Sequence, residues 1–407
     1  MPPRVSLGAF LARARSALTA PAPQRPSPLT LVIGNESADL DSLCSAVVYA
    51  YLRTYAPPHT LHIPISNLPR GDLKLRTEMT AALAHARLAP DDLLTLDDLP
   101  ADLAPRDTRW VLVDHNTLTG DLAARYAGRV VGCVDHHADE RGVPPDTPDE
   151  PRVIETCGSC SSLVVDYCRP AWEALVEAGT GGDADADVDA HLAKLSLAAV
   201  LIDTTNLQSK DKTTPKDVAA VSFLERFAPA LPYARDAFFA EISAVKEDIS
   251  SLSFRDVFRK DYKQWEDQSG DGGARQLMGT SAVVQNLDYL VDKAGGHGKE
   301  QVLLCEFRKW AEEKRLDIGV IMTTAHPDGR LEREVLVWAF NEAAVASCRA
   351  FYERCKGELG LAPWRGGRLD EVREGEWRAA WSQANVAASR KQVAPMLREA
   401  IRGGARL

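Results

Sequence analysis

The feature that most limits what this chain can fold into is a series of short apolar segments, each running straight into acidic or histidine residues. Leu29-Thr-Leu-Val-Ile33 leads into Gly34-Asn-Glu-Ser-Ala-Asp39-Leu-Asp41-Ser42. Trp110-Val-Leu-Val113 leads into Asp114-His115-Asn116, and Val130 to Val134 into Asp135-His136-His137. Short apolar, partly β-branched runs bounded by polar residues read as buried strands. Between them, Leu43 to Leu52, opened by Asp41-Ser42, and Lys74 to Leu88 have helical character. Strands alternating with helices predict an α/β layer structure with a largely parallel sheet. In such a sheet the loops after the carboxyl ends of neighbouring strands converge on one crevice. That would gather Asp39, Asp41, Asp114, Asp135, His136 and His137. A further aspartate, Asp203, closes the apolar run Leu197 to Ile202, while the wider stretch Leu192 to Leu201 fits helix or strand equally.

So many carboxylates in one crevice repel one another, and repulsion alone would protonate some of them. Divalent cations remove the conflict by turning each carboxylate into an anionic ligand. Aspartate with imidazole suits Mg²⁺ or Mn²⁺ better than a soft, thiol-bound metal. Singly, these residues have plainer readings. Asp41-Ser42 also suits a helix cap, and Asp114 and Asp135 suit turns after strands. Adjacent His136 and His137, with a second Asp-His pair at 114–115, are not explained by caps and turns.

At 407 residues the chain is long for one core, so two domains are expected. Residues 1–28 carry Arg4, Arg13, Arg15 and Arg25 without an acidic residue. They read as a short amphipathic helix, Leu7 to Leu18, docking on the first domain, followed by a Pro-rich connector at 21–28. A mitochondrial presequence is the alternative. The sheet domain is placed at 29–225, a linker marked by Pro229 and Pro232 at 226–236, and a second domain at 237–407. Gly179 to Asp189 reads as a polar loop, 236–266 as helical and 268–274 as a Gly/Asp-rich loop. Strands at Ala274–Val284, Asp317–Thr324 and Glu334–Val337, with helices at 341–356 and after Val393, give the second half a smaller α+β character.

Hydrophobic residues at 45% and charged residues at 26% exclude a wholly disordered or fibrous chain. No apolar run approaches the roughly 18–20 residues needed to cross a bilayer. The net charge of −10 argues against a nucleic-acid coat function, and a polyanionic substrate would need a local basic site or metal ions. Eight scattered cysteines suggest a reducing compartment. Cys157 and Cys160 have metal-knuckle spacing without a second close pair, so buried thiols are the better reading. A cytoplasmic monomer is expected, with mitochondrial import as the alternative that the basic N-terminus leaves open.

The succession Asn35-Glu-Ser-Ala-Asp39-Leu-Asp41-Ser42, Asp114-His115-Asn116, Asp135-His136-His137 and Asp203-Thr204 resembles the DHH phosphoesterase superfamily. Gly158-Ser159 resembles that family's turn before a helix. Arg259-Lys-Asp-Tyr-Lys263 and Ser389-Arg-Lys-Gln392 resemble its DHHA2 type of second domain. The resemblance covers 29 to about 400 and points to exopolyphosphatases, related to prune proteins, and to family II inorganic pyrophosphatases.

It implies an active site in the cleft between the two domains and two or more Mg²⁺ or Mn²⁺ ions. Asp39 would hold one ion and Asp41 the other, Asp114 would bridge them, and His136 and Asp203 would complete the second ion's ligands. Asp135 would orient an imidazole, and His137 would face the phosphate. Lys263, Arg390 and Lys391 would grip phosphate oxygens beyond the scissile bond. His115 and His137 are both candidates for the general acid. Pyrophosphatases of the family carry histidine where this chain has Asn35, which would stand among the substrate-binding residues and whose neutral oxygen would favour the harder Mg²⁺. The implied activity is release of terminal phosphate from linear inorganic polyphosphate by attack of a hydroxide held between two metals. The alternatives are a pyrophosphatase, a prune-like phosphodiesterase or interaction protein, and a nucleotide phosphodiesterase.

Overall fold

The computed structural model describes residues 3–179, 183–228, 233–269 and 273–403. They form two compact units, Met1–Lys246 and Glu247–Leu407.

The first unit begins with α1 (Leu7–Thr19), β1 (Leu29–Ile33), α2 (Leu40–Tyr55), β2 (His62–Ile65) and α3 (Thr77–His85). It continues with β3 (Thr108–Val113), α4 (Gly120–Tyr126), β4 (Val130–Asp135) and β5 (Arg152–Ile154). Four helices follow: α5 (Cys160–Ala178), α6 (Asp183–Asp203), α7 (Pro215–Leu224) and α8 (Arg235–Glu247). The five strands make one wholly parallel sheet in the order β2-β1-β3-β4-β5. All five residues of β1 are buried, as a strand covered on both faces requires. The order reverses direction between β1 and β3, so this is the topological switch point where a crevice opens at the carboxyl ends. Ile33 pairs with Leu112 and Val113 with Val134, which brings the three chemistry-bearing loops level with one another.

The amino-terminal segment is built into this unit. Leu7, Phe10, Leu11, Ala14 and Leu18 of α1 enter its core, and Arg4 forms a two-pronged ion pair with the buried Asp189 of α6. The stretch that reads as strand or helix lies within α6, which packs against α2, α3, α5 and α7 and is buried along most of its described length. The expected loop at 179–189 is helical from Asp183 onward, while 180–182 lie outside the described residues. Alanine's helix propensity, and the anchoring of Asp189 by Arg4 and Trp172 Nε1, outweigh its polar composition. The division between units falls after Lys246 rather than at 226–236, because Phe238 and Ile242 of α8 pack into the first core. Pro229 and Pro232 lie outside the described residues.

The second unit contains α9 (Phe254–Lys260), β6 (Tyr262–Gln268), β7 (Arg275–Val283), α10 (Leu287–Lys293), α11 (Lys299–Lys314) and β8 (Ile318–Thr323). Then come β9 (Glu334–Ala339), α12 (Glu342–Leu359), β10 (Leu361–Pro363), β11 (Glu371–Arg373), β12 (Glu376–Gln383) and α13 (Arg390–Arg402). Its mixed sheet runs β10-β12-β9-β8-β7-β6, with β11 on β12. Val335, Val337 and Trp381 face α12 and α13, whereas Leu336 and Trp338 face α9, α10 and α11. The expected helical region 236–266 ends earlier: from Tyr262 the chain is a strand, antiparallel to β7.

Candidate metal centre

Gly34 sets the geometry at the end of β1. A Cβ there would meet Ser42 Cβ at 2.5 Å, so only glycine lets the start of α2 close onto the strand. Asp39 caps α2, its Oδ1 accepting from Ser42 N at 3.1 Å. Ser42 Oγ accepts from Asn35 N at 3.1 Å and donates to Asp114 Oδ2 at 2.7 Å. Asn35 Nδ2 donates to the same Asp114 oxygen at 2.7 Å. Asp114 itself has φ +61°, a left-handed backbone that costs on the order of 1–3 kcal/mol outside glycine and persists only where its surroundings enforce it. Those bonds leave Asp114 Oδ1 facing the two histidines.

Asp41, in the first turn of α2, is buried against the amino terminus of α5. Its carboxylate accepts from Ser159 Oγ at 2.9 Å, Cys160 N at 2.7 Å and Ser161 N at 2.8 Å. A helix amino terminus is a natural anion site. Even so, burial and then the charges of Asp203, Asp114 and Asp39 push Asp41 well above the usual carboxylate range. Three aspartates are thus near enough to repel the charge of the buried Asp41. His136 Nδ1 lies 3.0 Å from the Cys157 carbonyl; since a carbonyl only accepts, that nitrogen carries the hydrogen. Nε2 is left facing the acidic residues, 3.1 Å from Asp114 Oδ1 and 4.0 Å from Asp41 Oδ2. Asp114, His136 and His137 offer ligand atoms within 4.8 Å of one another. At the end of α6, Asp203 Oδ2 is sealed from solvent without a hydrogen-bond partner.

These features fit divalent cations. An imidazole fixed through its far nitrogen, mutually repelling carboxylates and an orphaned carboxylate oxygen are the donor set that such ions satisfy. His137 Nδ1 lies 2.8 Å from Asp135 Oδ1, and Asn116 Nδ2 donates to Asp135 Oδ2 at 2.6 Å. Burial acts to raise Asp135, but these bonds and the imidazole's charge hold it below its ordinary value. His115 turns back on β3, its Nδ1 3.0 Å from the Val113 carbonyl. Asn35 Oδ1 accepts from Ser37 N at 2.8 Å and its Nδ2 holds Asp114, so the side chain also positions that carboxylate.

Lys263, Arg390 and Lys391 lie in the second unit. Arg390 Nη2 donates to Asp261 Oδ1 at 2.7 Å, two residues before Lys263, and Lys391 is exposed at the start of α13. Cys157 and Cys160 behave as ordinary thiols, donating to Asp217 Oδ1 at 3.2 Å and the Val134 carbonyl at 3.1 Å.

The sequence reading passed over Asp217. This buried carboxylate accepts from Gly158 N at 3.0 Å, Ser159 N at 3.2 Å, Ser162 Oγ at 2.6 Å and Thr214 N at 2.7 Å, besides the Cys157 thiol and the Thr214 hydroxyl. It fixes the 157–159 turn that in turn holds His136 through the Cys157 carbonyl and Asp41 through Ser159. Thr214-Pro-Lys-Asp217, a capping-box spacing, was the available signal.

Residues 30–200 match the model of the DHH family, N-terminal domain, and 240–400 that of the DHHA2 domain. A Schizosaccharomyces pombe protein named "Putative exopolyphosphatase" is 32% identical over 92% of this chain and 91% of its own length. The rat "Exopolyphosphatase PRUNE1" is 27% identical over 93% of this chain and 76% of its own. A "Manganese-dependent inorganic pyrophosphatase" of Methanothrix thermoacetophila is 25% identical over 72% of this chain and 80% of its own. The crystal structure of a Methanococcus jannaschii "putative family II inorganic pyrophosphatase" shares the fold, with a TM-score of 0.57 and 19% identity over 92% of this chain and 99% of that one.

Proposed function

The chain belongs to the DHH family, with a DHHA2 domain as its second half, and from that membership we propose that it is a metal-dependent exopolyphosphatase. The observation that carries the reading is the convergence of Asp41, Asp114, His136 and Asp203 at the switch point of the parallel sheet. Exopolyphosphatase and pyrophosphatase relatives both support hydrolysis of a phosphoanhydride.

Asp39, Asp41, Asp114, His136 and Asp203 would hold two Mg²⁺ or Mn²⁺ ions. When bound, such ions supply a water nucleophile at neutral pH and neutralise charge on the phosphate oxygens. The rest falls to the protein. Asn35 and Ser42 hold Asp114 in its left-handed conformation, and Cys157 presents His136 with Nε2 forward. His137 is the better general acid of the two candidates. Asp135 stays ionised beside its Nδ1 and stabilises the imidazolium whose Nε2–H is given to the leaving phosphate. His115 has its ring nitrogen turned to its own strand. In this reading Lys263, Arg390 and Lys391 take the phosphates of the remaining chain.

Product analysis tests the assignment. Polyphosphate labelled by length should shorten one unit at a time, with orthophosphate the sole small product. Mid-chain fragments would contradict exo-cleavage, and turnover of pyrophosphate alone would make the protein a pyrophosphatase.

A further inference from the structure

Arg333, immediately before β9, is 8% exposed, yet among the described residues no carboxylate lies within ion-pairing distance. Its Nε donates to the Val386 carbonyl at 2.7 Å and its Nη1 to Thr324 Oγ1 at 2.6 Å, both neutral acceptors. Nη2 is neither bonded within the protein nor sealed from solvent. Burial alone acts on the guanidinium and lowers its pKa, with no carboxylate to oppose it. A buried charge normally keeps a partner, because desolvating an unpaired ion costs on the order of several kcal/mol. Two other arginines with buried side chains keep such a partner: Arg4 has Asp189 and Arg378 has Glu371.

Its place in the sheet supplies the missing partner's chemistry. Along β9, Val335, Val337 and Ala339 face α12 and α13, so by strand alternation Arg333 projects to that same face. Along β6, Trp265 and Asp267 also face α13, Asp267 pairing with Arg398 and Arg402, so Lys263 shares the face as well. All these groups lie at one end of the sheet. Ala282 N bonds the Asp261 carbonyl, Thr324 N the Val283 carbonyl, and Gln383 N the Arg333 carbonyl. The chain then leaves β12, passes Val386 on Arg333 and enters α13 at Arg390, which reaches Asp261. Lys263, Arg333, Arg390 and Lys391 thus share one face and one end of the second sheet, with Asp261 the carboxylate that pairs within the group.

We propose that Arg333 is a further substrate-binding residue, its uncompensated guanidinium taking a phosphate oxygen of a linear polyphosphate at this basic end. The inference rests on the phosphoanhydride-hydrolase reading, and the assay is chosen so that the two fail separately. Binding of inorganic triphosphate to the full chain is measured by calorimetry in excess chelator, where no metal-dependent turnover occurs. Arg333→Gln should weaken binding about tenfold or more, the loss of one charge-assisted contact. Arg333→Lys, which keeps the charge, should stay within about threefold. Both variants should bind Mn²⁺ as the wild type does, because the metal ligands all belong to the other unit.

Unchanged triphosphate affinity in Arg333→Gln would overturn the inference. So would equal loss in both variants accompanied by a fall in melting temperature, which marks a structural role, and so would a wild type that binds no triphosphate. Arg333-dependent binding in a protein that hydrolyses no phosphoanhydride with Mg²⁺ or Mn²⁺ would support the anion site while removing the hydrolase reading.

Discussion

Asp217 offers the sharpest perturbation because it touches no expected metal ligand directly yet holds the turn on which two of them depend. Its Oδ1 accepts from Cys157 Sγ, Ser159 N and Ser162 Oγ, and its Oδ2 from Gly158 N, Thr214 N and Thr214 Oγ1. Asparagine keeps the shape but sets an NH₂ group against three donors, whichever way it is turned. A hydrogen bond to a charged group contributes about 1.5–3 kcal/mol, and the losses are not additive, so Asp217→Asn should destabilise the protein by about 2–4 kcal/mol. For a unit of this size that is a drop of roughly 4–16 °C in melting temperature. Loosening the 157–159 turn should also free the His136 ring and the α5 terminus on Asp41, lowering Mn²⁺ affinity about 10–100-fold. Calorimetric Mn²⁺ titration, with thermal melts in chelator, reads both effects. Although burial acts to raise it, the donors hold Asp217 below its ordinary value. Its stabilisation is therefore present above the unfolded carboxylate pKa and is lost as pH falls through the folded one. The variant should lack that slope. Mn²⁺ affinity within twofold of wild type, alongside the expected loss of stability, would refute the positioning role.

Three further outcomes are expected. Asp114→Asn should lower phosphate release at least about a thousandfold while the melting temperature in chelator moves by only a few degrees; near-normal turnover would rule out Asp114 as a central ligand. Glu150 is buried, accepting from Tyr49 Oη at 2.7 Å and lying 2.9 Å from His62 Nε2, and these contacts depress it despite burial. Its stabilisation should vanish as pH falls through that depressed value, so Glu150→Gln should flatten the acid limb of melting temperature against pH; superimposable curves would refute this. Lys391→Ala should raise KM for long polyphosphate about tenfold, roughly 1.4 kcal/mol, without moving Mn²⁺ affinity; a fall in metal affinity instead would contradict the assigned role.

Much of the first unit was legible because its signals are local. A five-residue apolar run bounded by glycine has few alternatives to a buried parallel strand, and β1 occupies Leu29–Ile33 as read. What failed depended on tertiary partners. The Asp/Ala-rich 183–189 looks like loop until Arg4 and Trp172 anchor Asp189 from far along the chain. Tyr262 to Glu266 reads as the end of a helical region because the alternation of β6 is meaningful only once α13 covers one side. At the site, the residue types and the strand ends were readable, but the partners were not. Asn35 spends its oxygen on Ser37, and Asp217 acts from a helix start about 60 residues downstream of the turn it fixes, a coupling that spacing does not reveal.

The measurement closest to the central claim is phosphate release from long-chain polyphosphate, triphosphate and pyrophosphate, each with Mg²⁺, with Mn²⁺ and with chelator. Chelator-sensitive release from polyphosphate with little from pyrophosphate is the expected result. Absence of release from all three substrates with either metal would contradict the account.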